Sequence, residues 1–176
     1  MTLLQYRNYF EALAADSKQI AHTSGGKYRF ALINFGDTLV KVRKKLDVIN
    51  YCFILEKFEI KQSRRSLSAP SRIYYDCSFR ITKAVKPEDF EDELIIQSEA
   101  LTLCQEFIKK IVKQYEDNAF LSNVVIEQDN IDYLLLSNQA ENMAGASCFF
   151  RLSETTFAYK KDSCGTDTAH DVYWTS

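Results

Sequence analysis

Two periods run through the hydrophobic and polar positions of the chain. From Tyr51 to Lys61, Cys52, Ile54, Phe58 and Ile60 share one parity, and Tyr51, Phe53, Leu55, Lys57 and Glu59 the other. From Ile73 to Thr82, Ile73, Tyr75, Cys77, Phe79 and Ile81 alternate strictly with Tyr74, Asp76, Ser78, Arg80 and Thr82. A period of two predicts strands. The polar, turn-rich stretch 62–71 between them makes the pair a long hairpin with a long tip. Farther on, Phe90, Leu94, Leu101, Cys104, Ile108, Ile111 and Tyr115 fall on one helical face and predict a long helix. Pro87 is expected to open it, with Glu88, Asp89, Glu91, Asp92 and Glu93 at the positive end of the helix dipole and Lys109, Lys110 and Lys113 near the negative end.

The remaining pattern is shorter-ranged. Leu4, Tyr6, Tyr9, Phe10, Leu13 and Ile20 suggest an N-terminal helix over 3–20, ended by His22-Thr-Ser-Gly-Gly26. Residues 30–35 read as a strand. Asp37 or Thr38 is placed to cap a basic helix through Leu39, Val42 and Leu46, with Lys41, Arg43, Lys44 and Lys45 on its other faces. Strands are expected over 124–127, 131–136 and 146–152, with a turn at Asn142–Gly145. This order predicts an α+β fold: a mostly antiparallel sheet with a long β-hairpin, and the long helix packed across one face. Residues 1–158 form one domain in this reading. Residues 159–176, polar but ending in Val172-Tyr173-Trp174, are expected to be either a disordered tail or an arm that docks its aromatics on a partner.

Composition narrows the class. The chain has 176 residues, enough for one domain with a sizeable core. Its 12 Phe and 10 Tyr favour a strand-rich core or a large contact surface. No stretch approaches the roughly 20 apolar residues that span a bilayer, and Arg7 lies too early among polar and aromatic residues for a signal peptide. The expectation is therefore that the chain stays in the cytoplasm of the cell that makes it. Five Cys without a C-x-x-C pair, and only two His, argue against a zinc site or a Ser-His-Asp triad. Cys52, Cys77 and Cys148 read as small buried hydrophobes. Cys164, near Lys160, Lys161 and His170, is the one thiol in a polar setting, and no oriented base accompanies it. Phosphate-loop, dinucleotide, nucleophile-elbow and zincin motifs are absent from the sequence. The expectation is a protein that is not an enzyme, with no catalytic residue, no metal and no cofactor.

Charge is unevenly spread. Residues 27–86 carry 14 basic and 5 acidic side chains, and residues 87–176 carry 6 basic and 17 acidic ones, although the net charge is only -2. Such polarity suits a head-to-tail contact between copies, with Lys41, Arg43, Lys44 and Lys45 facing Glu88, Asp89, Glu91 and Asp92 of a neighbour. It also fits solvated faces, or a monomeric binding domain that presents Arg64, Arg65 and Arg72 on the hairpin to nucleic acid or to an acidic protein.

The layout resembles the tail-terminator, or tail-completion, and head–tail joining proteins of tailed phages and prophages. The residues behind this are Leu4-Gln-Tyr-Arg-Asn-Tyr-Phe-Glu-Ala-Leu13 with Ile20-Ala-His22, the strand 30–35, and the hairpin 50–85. Lys86-Pro-Glu-Asp-Phe-Glu-Asp-Glu93 entering the long helix, and Glu141-Asn-Met-Ala-Gly-Ala-Ser-Cys-Phe-Phe150 before the last strand, complete it. The resemblance covers roughly residues 3–155 as an order of elements. It implies a virion-assembly subunit of the tail or neck, made in the host bacterial cytoplasm and assembling as a ring, commonly a hexamer. Its partners would be tail-tube and neck or connector proteins, with DNA passing nonspecifically through the channel and no membrane involved. Arg64, Arg65 and Arg72 at the hairpin and Tyr173 and Trp174 in the arm are then the expected docking residues.

Overall fold

The computed structural model describes residues 1–23, 26, 28–34, 43–63, 72–117, 120–121, 123–137 and 142–155. Helix α1 (Leu3–Asp16) starts at Thr2, whose hydroxyl accepts from Gln5 N at 3.2 Å while Gln5 Oε1 accepts from Thr2 N at 2.8 Å. This reciprocal capping box satisfies two backbone donors that the first turn leaves without helical partners. Tyr6, Phe10, Leu13 and Ala14 form the buried stripe, and Leu4, expected on the apolar face, is exposed. The helix stops short of Ile20. Ala21 turns the chain at a φ of 46°, and its N–H donates to Ser17 O at 2.6 Å.

That turn is held by buried polar groups. His22 Nδ1 accepts from Arg29 N at 3.1 Å, and the Arg29 guanidinium donates to Ile20 O at 2.9 Å and to Asp47 Oδ2 at 2.9 and 3.0 Å. A buried guanidinium is tolerable because its donors are matched in this way.

Six strands make one mixed, mostly antiparallel sheet, and the fold is α+β. They are β1 (Phe30–Ile33), β2 (Cys52–Glu56), β3 (Glu59–Ser63), β4 (Arg72–Ala84), β5 (Val124–Leu136) and β6 (Met143–Thr155). The order is β1-β2-β4-β6-β5, with β3 on the same side of β4 as β2. Only β1 and β2 are parallel, and residues 34–51 supply the crossover that parallel neighbours require. Of the expected basic helix, Lys41 lies outside the described residues. So do residues 37–40 and 42; Arg43 is helical, and a turn at Lys44 and Lys45 follows it, with Leu46 N donating to Arg43 O at 3.2 Å. Leu46 then packs on Ala31, Ile33, Cys52 and Ile54.

Two irregularities decide which side chains share a face. Leu55 pairs with Phe79 and Glu59 with Asp76, so three residues of the first strand oppose two of β4. The predicted continuous strand 51–61 is therefore broken by a bulge at Lys57-Phe58. An inserted residue reverses parity, and Phe58 joins Phe53 and Leu55 in the main core rather than Cys52 and Ile54. In β5, Glu127 pairs with Arg151 and Ile131 with Phe150, leaving Gln128, Asp129 and Asn130 as a three-residue bulge. The two strands expected over 124–127 and 131–136 are one.

The last strand also begins earlier than expected. Met143 to Gly145, read as a turn, already pair with β4 and leave Asn142, at a φ of 48°, as the turn residue. Gly145 is required there: a Cβ would lie 2.0 Å from Ile81 O.

Helix α2 (Phe90–Glu116) crosses the same face as α1. Between helices and sheet lies an aromatic core in which Phe53 stacks on Phe79 at 4.7 Å and meets Phe107 edge-on at 5.0 Å. Phe10 contacts both strand rings and Phe150. The high Phe content is spent largely here. Pro87 does not open α2. It occupies the second position of a turn in which Asp89 N donates to Lys86 O at 3.3 Å and Glu88 takes a φ of 65°, the pattern of a type II turn. Asp89 is the true cap, its carboxylate accepting from Asp92 N at 3.0 Å.

Candidate assembly surface

The start of α2 lies near the end of the sheet. Ala84 pairs with Met143 and Leu136 with Gly145, and these residues mark the sheet's end. Gln97 Nε2 donates to Leu136 O at 3.1 Å, and Ile96 beside it is the first buried side chain of the helix, so residues 90–95 contribute none. Phe90 and Leu94 belong to the helical stripe that continues into Gln97 and Leu101, yet they are 76% and 65% exposed, and neighbouring Ile95 is 57% exposed. Periodicity assigned Phe90 and Leu94 to the core. Leu94 and Ile95 flank the buried stripe of Ile96, Ala100, Leu103 and Phe107 rather than lying on it, and Phe90 stands at its edge in the first turn.

Beside this segment, the end of β5 leaves Tyr133, Leu134 and Leu135 exposed on a strand with no outer neighbour among the described residues. On the other flank of α2, Tyr51 Oη donates to Glu99 Oε2 at 2.6 Å. Burial, reinforced by the Glu99 carboxylate, pushes that phenol well above its usual range.

The described members of the two predicted charge sets are mostly exposed. Glu88 and Glu91 are exposed and Asp92 half-buried on the helix side, while Asp89 is engaged as the cap. Lys44 and Lys45 are exposed and Arg43 half-buried, beside Leu46 on the sheet face turned away from the helices.

At the hairpin end, Asp76 gathers its neighbours. Arg151 Nε donates to Oδ1 at 2.7 Å and Lys61 Nζ to Oδ2 at 2.5 Å. The Arg151 hydrogen bond, then Lys61, hold the Asp76 carboxyl below its ordinary value despite partial burial. Arg72 lies 3.7 Å from Glu127. Thus the described hairpin cations Lys61 and Arg72 already face carboxylates. A pocket of about 280 Å³ opens here between β3 and the β5 bulge, lined by Lys61, Asp76, Asn130, Asp132, Phe149 and Arg151. Nearer the sheet centre, Glu56 is buried and accepts from Ser78 and Arg80.

Four cysteines, Cys52, Cys77, Cys104 and Cys148, are buried free thiols. Burial pushes the Cys52 and Cys104 thiols up to about 12, and Cys77 and Cys148 higher still, so none is a thiolate at neutral pH. Arg64, Arg65, Cys164, His170, Tyr173 and Trp174 lie outside the described residues. Among the described residues no His, Cys, Asp and Glu cluster could hold a metal ion, and no helix is long and apolar enough to cross a membrane. Sequence reasoning missed the β5 edge. Leu134-Leu135-Leu136 was visible as an apolar run, but only sheet order shows that it lies outermost. Compared with known proteins, the chain matches no protein-family model and no curated sequence.

Proposed function

We propose that this protein is a structural assembly subunit that forms a closed homo-oligomeric ring, and that the ring ends the tail tube or joins it to the neck of a tailed phage or prophage-like particle. The observation that carries the assembly reading is the exposed start of α2. Phe90, Leu94 and Ile95 stand in solvent, near the apolar end of β5. A monomer gains nothing by exposing three large apolar side chains on one segment, whereas an interface buries them. Exposed charges of opposite sign on the two halves of the chain favour contacts that repeat head to tail and close. The tail or neck assignment rests on the resemblance in the order of elements.

In this role the subunit acts by shape: one face of the ring meets the last ring of the tube, the other a connector. The alternative, a monomeric domain presenting a basic hairpin, is weakened because Lys61 and Arg72 are matched by Asp76 and Glu127. Negative-stain electron microscopy of the concentrated protein at low salt tests the proposal. Rings with a central hole are expected. A field of compact monomers overturns a self-assembling ring and favours the binding domain.

A further inference from the structure

We infer that two copies of this chain pair through the outer edge of β5, over residues 131–136, as antiparallel strands related by a two-fold axis at Leu134. The inference goes beyond the ring reading: it leaves head-to-tail contacts to the charged halves of the chain and stands without them. β5 is the last strand of the sheet, and its ladder runs to β6 alone among the described residues. Beyond that ladder, the only hydrogen bond to the backbone of residues 131–136 from the described residues is the one from Gln97 to Leu136 O. An edge strand turns about half of its backbone donors and acceptors outward, where another strand can satisfy them.

The two halves of this edge differ. In the first, the bulge at Gln128-Asp129-Asn130 breaks the ladder, and Glu127 and Asp129 add charge, devices that keep an edge from pairing. The second half, Ile131-Asp132-Tyr133-Leu134-Leu135-Leu136, keeps a regular register with β6 from Phe150 to Gly145. It contains no Lys, no Pro and a single charge, and its six residues span about 20 Å. Apolar side chains stand out on both of its faces. Tyr133 and Leu135 pair with the core residues Cys148 and Ala146 and so share the helix face, at 38% and 49% exposure. Leu134 pairs with Ser147 on the other face and is 55% exposed. Phe90 and Leu94 lie on the same ridge of α2 as Gln97, which reaches Leu136, and bring more exposed apolar surface to this flank.

A second copy is the partner that this edge fits by itself. Antiparallel strands related by a two-fold axis offer each other the same surface, and the contact closes at two copies. With the axis at Leu134, Tyr133 of each copy faces Leu135 of the other, an aromatic–aliphatic pair made twice on the helix face. Asp132 then faces Leu136, and the two aspartates stand about 14 Å apart along the strands. Moving the axis two residues back would set the aspartates directly against each other, which like charges oppose.

Sedimentation of the full chain tests the contact, with circular dichroism to check that each variant is folded. The wild-type mass is expected to be an even multiple of the monomer. Leu134→Lys places two ammonium groups at the axis and is expected to halve that mass, weakening association by about a hundredfold or more. Gln128→Lys, in the bulge outside the paired stretch, is expected to leave it unchanged. The register is read at Leu136. Leu136→Asp sets a like charge opposite the partner's Asp132 and should dissociate the pair, whereas Leu136→Lys sets an opposite charge there and should keep it. If these two behave alike, the axis at Leu134 is wrong. A Leu134→Lys protein with the wild-type mass overturns the two-fold contact and leaves the ring standing. A wild-type dimer that Leu134→Lys splits into monomers overturns the ring and leaves the contact standing. A monomeric wild type, as a strand from a different protein at this edge would require, overturns both.

Discussion

In the middle of the sheet Phe53 stacks on Phe79 with ring centroids 4.7 Å apart, under two helices. At the sheet's end Phe90, Leu94 and Ile95 ride on the same long helix and contribute no buried side chain. The side chains are of one kind and the helix is continuous; what differs is position, since Leu94 and Ile95 flank the buried stripe that begins at Ile96, and Phe90 precedes it. Burial of apolar area stabilises the fold only where folding itself removes that area from water. The core residues therefore hold the monomer together, and the exposed residues at the start of the helix add little to it. Substitution separates the two. Phe53→Ala should lower unfolding free energy by about 3–5 kcal/mol, the usual cost of emptying a packed aromatic site, read from urea denaturation. Phe90→Ala should change it by less than about 0.5 kcal/mol, as exposed substitutions do. A comparable loss at Phe90 would mean that the start of the helix belongs to the core.

The next largest effect probes how closely the centre is packed. Gly145 faces Thr82 across the β4–β6 ladder, and a methyl group there would meet Ile81 O at 2.0 Å and Thr82 Cα at 2.9 Å. Backbone atoms in a central ladder cannot retreat as a flexible side chain could. Gly145→Ala should destabilise by about 1–3 kcal/mol, the range for overpacked sites, measured in the same titrations. A neutral result would show that β4 and β6 can separate at that point.

Much of the fold could be read before the structure, and the misreadings have particular causes. The strict alternation of 73–82 is one uninterrupted strand, and the long helix lies where its period placed it. The capping role of Asp89 was hidden by Pro87, which serves equally well at a helix start or in a type II turn. The bulges at 57–58 and 128–130 were illegible because an inserted residue changes parity without changing composition. Phe58 thus moved to the main core, and β5 looked like two strands. Of the candidate surface, the charge asymmetry was legible, but the exposure of the start of α2 was not. It depends on where the buried stripe begins, at Ile96, and on its exact angle, which a run of apolar residues at helical spacing does not fix.

A smaller effect separates the hairpin end from the core by pH. The Asp76 carboxyl is held below its ordinary value of 3.8, first by Arg151 and then by Lys61. A carboxyl depressed in the folded state contributes stability that is fully present above its unfolded value and lost as pH falls through the folded one. Stability should therefore decline as pH drops below about 4 in the wild type, and less steeply in Asp76→Asn, with a difference of about 1 kcal/mol or less for so exposed a cluster. Phe53→Ala should leave that dependence unchanged. Identical pH profiles for Asp76→Asn and the wild type would show that the cluster does not couple to folding.

The smallest effect lies on the sheet face opposite the aromatic core. Thr82 is buried, and its hydroxyl oxygen has no hydrogen-bond partner. Its neighbours across the ladders are Cys52 and Gly145, and neither side chain offers it a strong polar partner. A buried hydroxyl left unmatched costs desolvation energy with nothing returned, whereas a methyl group of nearly the same shape does not. Valine also keeps the β-branched side chain that a strand favours. Thr82→Val should thus stabilise the protein by a few tenths to about 1 kcal/mol, opposite in sign to every core substitution above, and thermal melts of the two proteins side by side would show it. A loss of stability would mean that the hydroxyl is matched by ordered water, and that this face is hydrated rather than dry at its centre.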